Sequence, residues 1–75
     1  MREYLLGARK RTKQTLRQVA EKMSLTEQAY SHIEKGIRQT DMTLSTMVRL
    51  AAAYNMTPEE IMHLEQDYLA QRNTA

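Results

Sequence analysis

The apolar positions of this 75-residue chain recur at helical spacing. Leu16, Val19, Ala20 and Met23 fall at i, i+3, i+4 and i+7, and Met47, Leu50, Ala51 and Tyr54 repeat the interval. Ile61, Leu64 and Tyr68 continue the habit towards the C-terminus. Residues three and four apart share one face of an α-helix, so each set predicts a helix with one face turned to a core. No stretch alternates apolar and polar residues for long enough to predict a strand.

Threonines mark where the helices begin. Thr15, Thr26, Thr43 and Thr57 each precede an apolar periodic segment. A threonine hydroxyl at an N-cap accepts a hydrogen bond from an otherwise unpaired N–H of the first turn. Thr15 with Gln18 and Thr57 with Glu60 have the spacing of capping boxes, and Pro58 stands at a first helical position, where proline is welcome. Leu25 with Tyr30, Met42 with Met47, and Met56 with Ile61 fit hydrophobic staples across three of these starts. The pair at Thr15 would be Gln14 with Val19, which fails, so a looser turn is expected there.

The predicted helices cover about 2–11, 16–23, 27–35, 44–54 and 58–70. Gly36 and Asn55 are natural left-handed stops after the third and fourth, and Asn73, Thr74 and Ala75 read as a frayed end. The expected fold is all-α, a compact five-helix bundle forming a single domain over residues 1–75.

Charge divides the chain. Residues 1–40 hold nine of the eleven Lys and Arg (Arg2, Arg9, Lys10, Arg11, Lys13, Arg17, Lys22, Lys35 and Arg38) against four glutamates, a net +5. Residues 41–75 hold two arginines against five acidic residues, a net −3. A basic half suits a polyanionic partner, with the acidic half turned away. The chain has no cysteine, which removes disulfides and thiolate metal sites and suits a reducing cytoplasm. No run approaches a membrane span, and Met1 to Leu6 lacks the apolar core of a signal peptide.

The short link Ser24-Leu25-Thr26 forces a sharp corner between the helices at 16–23 and 27–35, a helix-turn-helix arrangement. The second helix of such a pair can enter the DNA major groove with the residues near its N-terminus. Ala29, Tyr30 and Ile33 read as inward, leaving Glu27, Gln28, Ser31 and His32 outside. Glutamine can pair with adenine and glutamate can accept from cytosine; the same four residues also suit a plain solvent-facing surface.

Val19-Ala20, the run Ser31-x-Ile33-Glu34-x-Gly36, and Leu50-Ala51 followed by Asn55-Met56-Thr57-Pro58 together resemble the Cro/repressor-type (XRE) helix-turn-helix family over roughly residues 4–62. The resemblance implies a lambda-repressor-like fold of five helices. It also implies a bacterial or phage transcriptional regulator that binds specific double-stranded DNA, usually as a homodimer on an inverted repeat. By position, Glu27, Gln28 and His32 would read bases, and Thr26, Ser31 and Arg38 would touch the backbone. The resemblance also pairs Arg9 with Glu34. Three positions depart from the pattern: Leu16 replaces a phosphate-anchoring glutamine, Lys13 replaces a helix-ending glycine, and Gln14 replaces an apolar residue. Arg17 or Lys13 could supply the phosphate contact that Leu16 lacks.

The remaining residues have plainer readings. The six methionines are expected as core filler, and Tyr4, Tyr30 and Tyr54 as core-edge aromatics with hydroxyls towards water. His32 and His63 are the only histidines, so no metal site and no cofactor are expected. Leu64, Tyr68 and Leu69 form an apolar stripe with Glu65, Gln66 and Asp67 beside it; the stripe either caps the core or meets a second copy. The expected function is a repressor reading the major groove with the helix at 27–35. An antitoxin whose main partner is a toxin, and a protein-interaction module on the same fold, are the alternatives. An enzyme is the class with least support.

Overall fold

In the computed structural model the described residues are 1–37 and 42–73, with the side chain of Asn73 outside the description. Five helices follow in order: α1 (Glu3–Arg11), α2 (Leu16–Lys22), α3 (Glu27–Lys35), α4 (Leu44–Tyr54) and α5 (Pro58–Asn73). No strand occurs among the described residues. The last helix runs three residues beyond the expected end, so Asn73 closes it; Thr74 and Ala75 lie outside the described residues.

The threonine caps form as the spacing predicts. Thr15, Thr26, Thr43 and Thr57 hydroxyls accept from the N–H groups of Gln18, Ala29, Thr46 and Glu60 at 3.1–3.2 Å. Both capping boxes close, with Gln18 and Glu60 side chains accepting from the Thr15 and Thr57 N–H groups.

The helix ends share one device. After α1, α2 and α4, an N–H just beyond the last turn reaches back into the helix: Gln14 to Arg9, Leu25 to Ala20, and Met56 to Ala51, at 2.9–3.1 Å. This closure needs a left-handed residue just before it, and Lys13 (φ 55°), Ser24 (φ 57°) and Asn55 (φ 55°) fill that position. Asn55 and Gly36 (φ 71°) are suited to the left-handed region; Lys13 and Ser24 carry a Cβ strain there. Gly36 is needed for a second reason. A Cβ on it would lie 2.5 Å from the Tyr68 hydroxyl oxygen.

The core collects Leu5 and Ala8 from α1, Val19, Ala20 and Met23 from α2 and its end, Tyr30 from α3, Leu50, Ala51, Ala53 and Tyr54 from α4, and Ile61 from α5. Alanines let the helices approach closely. α2 packs chiefly on α3 and α4 on α5, while α1 lies against α3 and α2 against α4. The six staple residues all lie in this core or against it.

Several expected surroundings are corrected. Tyr30 and Tyr54 are fully buried and their hydroxyls bond each other, so they do not face water. The half-buried Tyr4 donates to Glu65 at 2.6 Å. Met1 and Met62 are exposed and do not fill the core, whereas Met23, Met42, Met47 and Met56 do. The turn before Thr15 lacks its staple, yet it is tied. Gln14 donates from its side-chain amide to the Thr12 hydroxyl at 2.9 Å and to the Ala53 carbonyl at 3.0 Å, so a polar tether replaces the apolar one.

Candidate nucleic-acid interface

α2 and α3 meet at Ser24, Leu25 and Thr26. The left-handed Ser24 ends α2, Leu25 tucks back against the core, and Thr26 caps α3. Arg49 of α4 donates to the Met23 carbonyl at 3.2 Å, which ties the corner to the next helix. The corner angle is therefore set by backbone closure and side-chain contacts on both sides.

α3 presents two faces. Tyr30 and Glu34 are buried, with Ala29 and Ile33 half-buried beside them. Glu27 and Gln28 are exposed in the first turn, and Ser31 and His32 are half-exposed in the next. Thr26 is exposed, and its oxygen already accepts the cap hydrogen bond. Lys13 and Arg17 are exposed; Arg17 makes only a loose surface pair with Glu21 at 3.4 Å, of little energetic weight. Leu16 packs part of its side chain against the core, which accounts for an apolar residue at that position. Arg38 lies outside the described residues.

Behind the outward face, α3 is held by α1. The Arg9 guanidinium donates from Nε and Nη2 to both oxygens of the buried Glu34 at 3.1 and 3.0 Å. Hydrogen bonding to that carboxylate raises the Arg9 pKa, so the guanidinium stays charged. Arg9 thus faces inward and adds little to the surface charge.

Arg2 is the larger departure. Basic by sequence, it is 1% exposed. Its Nε and Nη2 grip the two oxygens of Glu65 at 2.8 and 2.9 Å, and its Nη1 donates to the Ile33 carbonyl at 2.7 Å. The Tyr68 ring lies 4.9 Å from its guanidinium carbon. Burial opposes the charge, and the hydrogen bonds and charge of Glu65 outweigh that, so the Arg2 pKa is raised. Glu65, which stands beside the apolar stripe in the sequence, is buried as its partner. The sequence offers no local signal for this pair, because its members are 63 residues apart. Among the described residues the exposed basic side chains are Lys10, Arg11, Lys13, Arg17, Lys22, Lys35 and Arg49, with Arg72 half-exposed.

Leu64, Tyr68 and Leu69 are each half-buried on α5. Among the described residues there is no group of three or more His, Asp or Glu fit to hold a metal ion, and no helix long and apolar enough to cross a membrane.

A family model described as helix-turn-helix matches residues 2–61, four-fifths of the chain and all of α1 to α4. The chain belongs to the Cro/C1-type (XRE) helix-turn-helix family. It is a DNA-binding helix-turn-helix regulator. No curated protein and no solved structure matches it. Within this family frame α2–α3 is the helix-turn-helix pair. The segment after residue 61, which carries Glu65 and Tyr68, lies beyond the family match.

Proposed function

We propose that this helix-turn-helix protein is a repressor that binds a specific inverted-repeat site as a homodimer and blocks access to it. α3 would enter the major groove, with Glu27, Gln28 and His32 reading base edges and Thr26, Ser31 and Arg38 against the backbone. Lys13 and Arg17 would supply the phosphate contact that Leu16 does not make. The observation that carries this reading is the division of α3 into a face fixed to α1 through Glu34 and an opposite polar face. A reading head works only if its side chains are presented at a fixed angle, and a helix pinned from behind provides that.

A homodimer fits this assignment because a two-fold assembly matches an inverted repeat. The half-buried Leu64, Tyr68 and Leu69 on α5 are the proposed seam.

The deciding experiment is enrichment of binding duplexes from a randomised library at about 0.15 M salt, near physiological ionic strength. An enriched inverted repeat is the expected result. Enrichment of a single half-site removes the dimer from the proposal, and no enrichment removes sequence-specific reading.

A further inference from the structure

Two arginines of one helix face hold the reading helix. Arg9 grips the Glu34 side chain. Arg2, seven residues earlier and at the start of α1, grips the backbone of the same turn. Its side chain donates to the Ile33 carbonyl at 2.7 Å and its own N–H donates to the Glu34 carbonyl at 2.8 Å. These are carbonyls of the last turn of α3; the Ile33 carbonyl also accepts from the Gly36 N–H at 3.2 Å, so Arg2 adds a second hold on that helix end. Arg2 is itself immobilised. Glu65 binds it by both oxygens, Tyr4 donates to the same carboxylate, and the Tyr68 ring covers its face.

We propose that Arg2 is a positioning residue for DNA recognition: locked onto Glu65 and Tyr68 of α5, it fixes the C-terminal end of α3 and thereby the angle at which the first turn of α3 meets the groove. The proposal rests on α3 being the reading helix. Its leverage follows from length. α3 has nine residues, and a tilt of about 5° at its last turn moves the first turn of such a helix by about 1 Å. Hydrogen bonds to base edges do not survive a displacement of that size. Arginine suits the task because its planar fork can hold a carboxylate with two donors and a carbonyl with a third, while lying flat on a ring. Lysine would keep the charge and lose that geometry. Arg2 is buried, so it contributes nothing directly to phosphate binding.

The test compares affinity for the library-selected duplex with affinity for a scrambled duplex of equal length, for the wild-type chain and two variants. Arg2→Lys keeps the charge. Arg2→Met/Glu65→Met replaces the ion pair by apolar side chains of similar volume, an exchange that is often neutral or stabilising for a buried pair. It therefore separates positioning from stability if Arg2→Lys folds only in part. Circular dichroism at the assay temperature identifies the folded variants.

In folded variants, affinity for the selected duplex is expected to fall about tenfold, the weight of one good base contact. Affinity for the scrambled duplex should stay within about twofold, because phosphate contacts remain. Variants that are folded and discriminate as wild type overturn the positioning role, as do equal losses on both duplexes. A wild-type chain that does not discriminate overturns the reading of α3 itself, and this inference with it.

Discussion

The hydroxyls of Tyr30 on α3 and Tyr54 at the end of α4 bond each other inside the core, where both side chains are fully buried. The pair joins the reading helix to α4 across an otherwise apolar interior. A buried hydroxyl without a partner costs more than a made hydrogen bond returns, so the two tyrosines are energetically coupled. Tyr30→Phe and Tyr54→Phe should each destabilise by about 1–3 kcal/mol. The double variant should cost clearly less than the sum. Urea unfolding of the four proteins measures this, and strict additivity would refute the coupling.

The same burial produces a dependence on alkaline pH. Burial, first of all causes, raises the pKa of both Tyr30 and Tyr54 above the ordinary value of 10.0. A pKa raised on folding gives stability that is complete below the unfolded value and lost as pH climbs past it. Stability should therefore hold up to about pH 10 and then fall by about 1.4 kcal/mol per pH unit for each buried hydroxyl. Urea midpoints at pH 8.5 and 11 check this, with Tyr30→Phe/Tyr54→Phe as the control: its slope should be shallower, keeping only the share of Tyr4, whose pKa burial also raises. Equal slopes in the two proteins would place the effect elsewhere.

Lys13 and Ser24 sit in the left-handed region without the freedom of glycine. The left-handed backbone costs an L-residue about 1–2 kcal/mol, and glycine gives back about half of that in unfolded-state entropy. Ser24→Gly and Lys13→Gly should each stabilise by about 0.5–1 kcal/mol, raising the melting temperature by several degrees. Lys13→Gly should at the same time weaken DNA binding if Lys13 contacts phosphate. A lowered melting temperature in both variants would contradict the backbone argument.

Salt and base dependence separate the surface residues from the buried ones. Removing one phosphate-binding side chain should reduce the slope of log affinity against log salt by about 0.9. Lys13→Ala and Arg17→Ala are expected to do this, and Arg2→Lys is not, because Arg2 is buried. His32→Ala should cost about 1–3 kcal/mol on the selected duplex and relax preference at one position. Equal losses on all duplexes would make His32 a backbone contact.

The seam on α5 is open to direct measurement. Leu64→Glu/Leu69→Glu should convert a dimer to a monomer by light scattering. Leu44→Glu/Val48→Glu is the comparison, since Leu44 and Val48 are the most and third most exposed large apolar side chains described, at 72% and 47%. Loss of the dimer only in the second variant would move the seam to α4.

Much of this protein can be read along the chain. Thr15, Thr26, Thr43 and Thr57 announce their helices because capping is a bond between residues three apart. The outward placement of Glu27 and Gln28 and the inward placement of Tyr30 follow from helical period. Gly36 and Asn55 mark left-handed ends because glycine has no Cβ to clash and asparagine's short polar side chain tolerates the region. Lys13 and Ser24 adopt the same conformation and are not legible, since there the closure of the turn overrides residue preference.

The sequence by itself determined the helices, their caps and the polar face of α3, because each depends on neighbours within two turns. Only the tertiary structure decided which charges are surface and which are structure. Arg2 and Glu65 look like ordinary solvated residues in any local window, and the chain brings them together across 63 positions. Burying a charge is unfavourable unless a partner of the right geometry waits for it. Whether one waits depends on where α1, α3 and α5 meet.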